Sequence, residues 1–183
     1  MVEDLSMHIA DLLENSFRAG AKHVELRLSL LRGTLRLEVD DDGSGMDGDL
    51  LRKAADPFFT TKRHGKRIGL GLPLFLQTVE ELGGTLEVST RPGGGTRVRA
   101  EIPWHHPDRP PLGDLAETVV PIILTSPGVE FRIVLEGNGE RIELDTERLK
   151  EELGISCLTP EAMGPLMRMV REAMDRVGLK EGA

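Results

Sequence analysis

From residue 4 to residue 18, Ile9, Leu12, Leu13, Ser16 and Phe17 recur at i, i+3, i+4, i+7 and i+8, the spacing of one helical face. Ala19-Gly20-Ala21 ends that helix. Residues 23–30 and 34–39 then alternate around the Arg32-Gly33 turn, which predicts two strands. A second apolar-striped helix is predicted over 74–82, stopped at Gly83-Gly84. Residues 85–90 and 96–102 alternate on either side of Arg91-Pro92-Gly93-Gly94-Gly95, a further hairpin. The pattern is that of an α+β two-layer sandwich: a mixed, mostly antiparallel sheet with helices on one face and solvent on the other.

The rhythm breaks at Pro103-Trp104-His105-His106-Pro107-Asp108-Arg109-Pro110-Pro111. Four prolines in nine residues sustain neither a helix nor a central strand. A boundary is therefore expected here, with a domain over 1–104, a linker over 105–111 and a small α/β C-terminal module over 112–183. In that module residues 115–124 read as a helix or buried segment. Residues 129–135 and 141–144 flank Glu136-Gly137-Asn138-Gly139-Glu140, a strong hairpin signal. Asp145-Thr146-Glu147-Arg148 resembles a capped helix start. Pro160 opens a last helix striped by Met163, Leu166, Met167, Val170 and Met174, read as core or as an adaptable partner surface.

Composition narrows the classes. A chain of 183 residues removes roughly 70% of its unfolded surface from water. Its 31 acidic against 23 basic residues give a net charge of −8, which argues against a general binder of nucleic acid or anionic membrane. The single Cys157 excludes an intramolecular disulfide and suits a reducing cytoplasm. No apolar run approaches the ~20 residues of a membrane helix.

Four stretches carry candidate chemistry. Asp11 and Asn15 stand i and i+4 on one helix face. That spacing suits one side chain activating a water or hydroxyl while the next binds a cation that gathers phosphate oxygens; it also suits a plain solvated face with a Glu14–Arg18 ion pair. Glu14 lies about 100° around the helix from Asn15, so it is the poorer base. Asp41-Asp42-Gly43-Ser44-Gly45-Met46 follows an alternating strand, and its glycines allow a flat ligand close to the backbone. Asp56-Pro57-Phe58-Phe59-Thr60-Thr61-Lys62 leads through a basic run to Gly69-Leu70-Gly71-Leu72, whose amides open the next helix and can bind anions. Gly93-Gly94-Gly95-Thr96 is the last, and reads equally as a hairpin turn.

In this order and spacing the four resemble the nucleotide-binding boxes of the superfamily comprising DNA gyrase, the heat-shock chaperone, histidine kinases and mismatch-repair ATPases. The resemblance covers about residues 5–103. Pro57-Phe58-Phe59-Thr60-Thr61-Lys62 with Gly69-Leu70-Gly71-Leu72 is close to sensor histidine kinases, and Leu13-Glu14-Asn15-Ser16 to the mismatch-repair branch. It implies a Bergerat-type ATP-binding fold with ATP and Mg²⁺ as cofactors. Asn15 becomes the magnesium ligand, and Asp11 takes the place of the catalytic acid, where the family usually carries Glu. Arg18 stands where kinases often carry a basic phosphate contact. Asp41 accepts from the adenine amino group, Gly43, Gly45 and Met46 line the purine, and Thr96 stands near that contact. Thr61 and Lys62 face phosphates, with Gly69, Leu70, Gly71 and Leu72 at the helix start. Arg67 stands where kinases often have Gly.

The resemblance implies a Mg²⁺-dependent ATPase or protein kinase of bacterial signalling. A sensor kinase needs a helical hairpin carrying an exposed phosphoacceptor histidine, and His8, His23, His64, His105 and His106 supply none. Any acceptor is therefore expected on another protein, with the C-terminal module as the docking part. The competing readings are a non-catalytic ATP-binding module that switches a partner, and a mismatch-repair-like clamp. The sequence also admits a homodimer.

Overall fold

The computed structural model describes residues 4–46, 71–90, 92–156 and 158–180. Helix α1 (Leu5–Arg18) starts where the Asp4 carboxylate accepts the Met7 N–H, and buries Leu5, Ile9, Leu12 and Leu13. The hairpin β1 (His23–Leu31) and β2 (Thr34–Asp41) follows, paired in register from Val24↔Asp41 to Leu31↔Thr34. Helix α2 (Gly71–Glu81) buries Leu72, Phe75 and Val79. It starts three residues earlier than the apolar stripe predicts, because Gly71 and Pro73 already belong to its first turn, where a missing proline N–H costs nothing. Strands β3 (Thr85–Thr90) and β4 (Thr96–Pro103) form the next hairpin.

Past the proline run come α3 (Leu115–Thr125), β5 (Glu130–Gly137), β6 (Glu140–Asp145) and α4 (Thr146–Leu153). Pro160 opens a short 3₁₀ turn, Pro160–Ala162, and α5 (Met163–Arg176) follows it. The methionine stripe is largely core: Leu166, Val170 and Met174 are buried, whereas Met163 stays exposed.

The described strands make one six-stranded sheet in the order β3-β4-β2-β1-β5-β6, antiparallel except where β5 lies parallel to β1. This corrects the expected boundary. A strand with apolar Val24, Leu26 and Leu28 on its inner face would be an open edge without β5, a row of unpaired backbone groups. The proline run is stitched to α1 instead: Leu5 N–H and Ser6 N–H donate to the carbonyls of Pro111 and Leu112. Leu112, Leu115, Val119 and Phe131 join the same buried cluster as Leu13, Leu37 and Phe75. The described residues on either side of the proline run thus share one sheet and one core.

The other face of the sheet is polar. Arg27–Glu25, Arg132–Glu25, Arg132–Glu143, Arg97–Asp40, Arg36–Glu101 and Arg141–Glu136 ion pairs cross it. Each is worth little in solvent, but together they keep that face from demanding a second helical layer. The site accordingly gathers on the helical side.

Candidate functional site

Asp41 is the last residue of β2, facing Val24 of β1 and Thr96 of β4. Its Oδ1 accepts the N–H groups of Gly43 at 2.8 Å and Thr96 at 3.3 Å. Its Oδ2 accepts the Ser16 hydroxyl at 2.8 Å. The Leu12 carbonyl lies farther from that hydroxyl, at 3.3 Å, so the single hydroxyl proton belongs to the charge-assisted bond. Asp41 is half-buried, and a carboxylate offers about four acceptor positions. One remains for an outside donor.

The loop after Asp41 is held tightly. Ser44 N–H donates to Ala19 O, Gly95 N–H to Gly43 O and Gly93 N–H to Ser44 O. Met46 N–H donates to Thr90 Oγ1, which donates to Gly95 O. Two glycines here have no substitute. A Cβ on Gly95, whose φ is +78°, would stand 1.9 Å from Asp41 O, and one on Gly43 would stand 2.7 Å from Ala19 Cβ. The turn 92–95 is therefore both a hairpin turn and the clasp of this loop.

Asp42 points elsewhere. It accepts Lys22 N–H, His23 N–H and His23 Nδ1. Burial pushes its carboxyl up, but those donors outweigh it and hold the group at about 2. The same bond raises His23.

On α1, Asp11 lies against the start of α2: a Cβ on Gly71 would meet Asp11 Oδ2 at 2.7 Å. The carboxyl is pushed up, first by burial and then by the Glu14 charge, with Arg18 opposing. Glu14 and Arg18 pair at 2.6 Å, which occupies the alternative base. Among the described residues no hydrogen-bond partner reaches the side chains of Asp11 or Asn15. Gly71 and Leu72 are buried in the first turn of α2, and Gly45 and Met46 are half-buried at the end of the Asp41 loop. Thr61, Lys62, Gly69 and Leu70 lie outside the described residues.

The donor set fits a Mg²⁺ nucleotide. An acceptor-only carboxylate with one vacant position suits an amino-bearing purine edge. The Asn15 amide oxygen, without a partner among the described residues, suits a cation that takes oxygen ligands and keeps waters, and a helix N-terminus lies alongside for phosphate. A separate hollow of about 690 Å³, lined by His23, Glu25, Arg97, Glu130 and Arg132, opens on the charged face. Its charges are already paired with each other and with Asp40, Asp42, Glu143 and Lys150, so it is the poorer candidate.

Sequence reasoning missed Ser16 and Thr90. Ser16 sits on the apolar stripe directly after Asn15, and a hydroxyl on a core-facing stripe was the available signal. Nothing in the sequence marks Thr90, because its partners Met46 and Gly95 come together only in the folded sheet.

Comparisons with known proteins bear on the family and the fold. The chain is 35% identical over 107 residues to the sensor histidine kinase DcuS of Escherichia coli K12, covering 56% of this chain and 19% of that protein. It is 33% identical over 101 residues to the sensor protein kinase CarS of Pseudomonas aeruginosa, covering 55% and 23%. The chain thus spans about one fifth of the length of these curated relatives. A solved N-terminal domain of a DNA repair protein shares the fold at TM-score 0.52 and 15% identity, over 79% of this chain and 53% of that one. Residues 2–106 match the family described as histidine kinase-, DNA gyrase B- and HSP90-like ATPase. With more than half its length in that match, the chain belongs to the histidine kinase-, DNA gyrase B- and HSP90-like ATPase family.

Proposed function

We propose that this chain binds Mg²⁺·ATP between α1, the Asp41 loop and the start of α2, and drives hydrolysis or phosphoryl transfer on a separate protein partner in bacterial signalling. The observation that carries the reading is the Asp41 carboxylate, anchored by Ser16, Gly43 and Thr96 with an acceptor position left over. A guanine presents a carbonyl where adenine presents its amino group, so the site favours adenine. Bound Mg²⁺ would neutralise charge that develops on the phosphate oxygens. Asn15 would hold it through the side-chain oxygen, and the first amides of α2 would orient the phosphates. Asp11, beside Gly71, would accept the proton of the attacking hydroxyl or water. Its raised proton affinity makes it a better base than an ordinary exposed aspartate.

The described histidines support an acceptor elsewhere. His8 is 1% exposed, His23 is tied to Asp42, and His105 and His106 lie in the turn after β4. No described helix is long and apolar enough to cross a membrane.

Calorimetric titration with ATP, ADP and GTP, with and without Mg²⁺, tests binding, and phosphate release tests turnover. Asn15→Ala should weaken Mg²⁺·ATP binding and leave Mg²⁺-free nucleotide binding nearly unchanged. Asp11→Asn should retain binding while turnover falls ~10²–10⁴-fold, the usual worth of a positioned base. Asp11→Glu restores the longer reach and should raise turnover. Tight binding by the wild type without any hydrolysis in excess Mg²⁺ would favour the partner-switching reading. Equal affinity for GTP and ATP would sink the adenine site.

A further inference from the structure

Helix α1 turns a stripe of His8, Asp11 and Asn15 in one direction, at i, i+3 and i+7. Asp11 meets Gly71 of α2. One turn back, His8 meets the same helix one turn further on: its ring lies 4.7 Å from that of Phe75, and its Nε2 is 3.3 Å from Thr78 Oγ1.

Thr78 Oγ1 also lies 3.0 Å from the Leu74 carbonyl, which accepts its only proton. His8 Nε2–H must then be the donor to Thr78. The result is a relay from His8 through Thr78 to Leu74, running from α1 into the first turn of α2. A Thr hydroxyl bonded back to the carbonyl four residues earlier often bends a helix, and the turn that carries this bond is the one His8 contacts.

His8 is a costly choice for this position. It is 1% exposed, and its Nδ1 is buried with no hydrogen-bond partner among the described residues, whereas leucine would fill the same apolar seam without an orphan. A buried unsatisfied polar atom calls for a reason. We propose that His8 is a positioning residue of the nucleotide site: through Thr78 it fixes the first turn of α2 against α1, and so places Gly71 beside Asp11. This rests on the nucleotide reading above for its effect on turnover, but not for its effect on α2.

The test compares His8→Leu, His8→Gln, His8→Asn and Thr78→Val in the full chain. Gln places an N–H where Nε2 stands, whereas Asn imitates only Nδ1. His8→Leu should melt no lower than the wild type, yet turn over ATP about tenfold more slowly, the worth of one positioned hydrogen bond. Thr78→Val and His8→Asn should share that loss, and His8→Gln should recover to within about threefold. The His8→Leu/Thr78→Val double variant should be no worse than either single one, because both break one relay. Wild-type turnover in His8→Leu, or equal turnover in the Gln and Asn variants, would overturn the proposal.

Hydrogen exchange at the Phe75 and Leu76 amides, which close the first turn of α2, needs no nucleotide. It should quicken about tenfold in His8→Leu and stay near the wild-type rate in His8→Gln. If the wild type fails to turn over ATP while exchange behaves as described, the nucleotide reading fails and the positioning role stands. If exchange is the same in all variants, the positioning role fails.

Discussion

Asp41 and Ser16 show how one contact can serve two ends. The hydroxyl of a helix residue neutralises part of a strand-end carboxylate, and in doing so ties α1 to β2 at 2.8 Å. Ser16→Ala should therefore lose stability, by about 1 kcal/mol in urea unfolding, and ATP affinity together. Asp41→Asn removes the charge and, with its oxygen kept on the Gly43 and Thr96 amides, puts an NH₂ donor where Oδ2 accepts, and should lower ATP affinity about tenfold or more in titration calorimetry. If both variants bind ATP as the wild type does, the Asp41 network is structural alone. Asp11 is the opposite case. Its proton affinity is raised by partial desolvation and by the Glu14 charge, a shift that the proposed base would use.

The seam between α1 and α2 is where an element's chemistry becomes pH-dependent. Burial lowers the proton affinity of His8 to about 4, with Asp4 opposing. Thr78 is the polar group facing it from α2, and Phe75 supplies only a ring. A depressed proton affinity means that the unfolded chain takes up the proton first. The stabilisation is present above pH 6.5 and drains away as pH falls through 4, on the order of 3 kcal/mol in all. Urea unfolding from pH 7 to pH 4 should show a steeper loss in the wild type than in His8→Leu. Parallel curves would mean that His8 is protonated without penalty. Elsewhere the elements follow their local signals: Asp114 and Asp145 cap α3 and α4 through the Glu117 and Arg148 amides, and Gly154 ends α4 at φ +66°.

At the scale of the whole molecule, the C-terminal half is a structural part of the sheet. Phe131 of β5 packs edge-on against Phe17 of α1 at 5.7 Å, and Thr118 of α3 donates to Ser6 at 2.9 Å. A fragment ending at residue 104 would uncover β1 along its length and remove Leu112, Leu115, Val119 and Phe131 from the core. Losses of 2–5 kcal/mol per large core side chain exceed the usual net stability of a domain when four are summed. The fragment should lack near-UV circular dichroism and bind a hydrophobic dye. A broad-specificity protease should also spare residues 104–112 in the native chain. Arg109 is stacked 4.1 Å over Trp104 and bonded to its carbonyl. A stable, well-packed 1–104 fragment would show that β5 and β6 are an addition to a complete core.

What the sequence determined by itself was local. Periodicity placed α1, α2 and the first four strands to within about three residues, since a 3.6 or 2.0 repeat is imposed by each element's own burial, whereas residues 115–124 stayed open between helix and buried segment and α4 was marked only by its cap. Gly43 and Gly45 marked the loop after Asp41, while residues 93–95 stayed open between a plain hairpin turn and a ligand loop; close approach requires glycine at positions 43 and 95. Tertiary structure decided the rest. Parallel pairing of β1 with β5 joins residues 107 positions apart in the register His23↔Glu130, and no short-range pattern encodes which edge a distant strand will cover. The proline run read as a separator because proline forbids helix and strand. It stops neither the run's carbonyls from bonding α1 nor the chain beyond it from re-entering the sheet. The roles of Thr90 and His8 became legible only in three dimensions, where their partners are supplied by other elements.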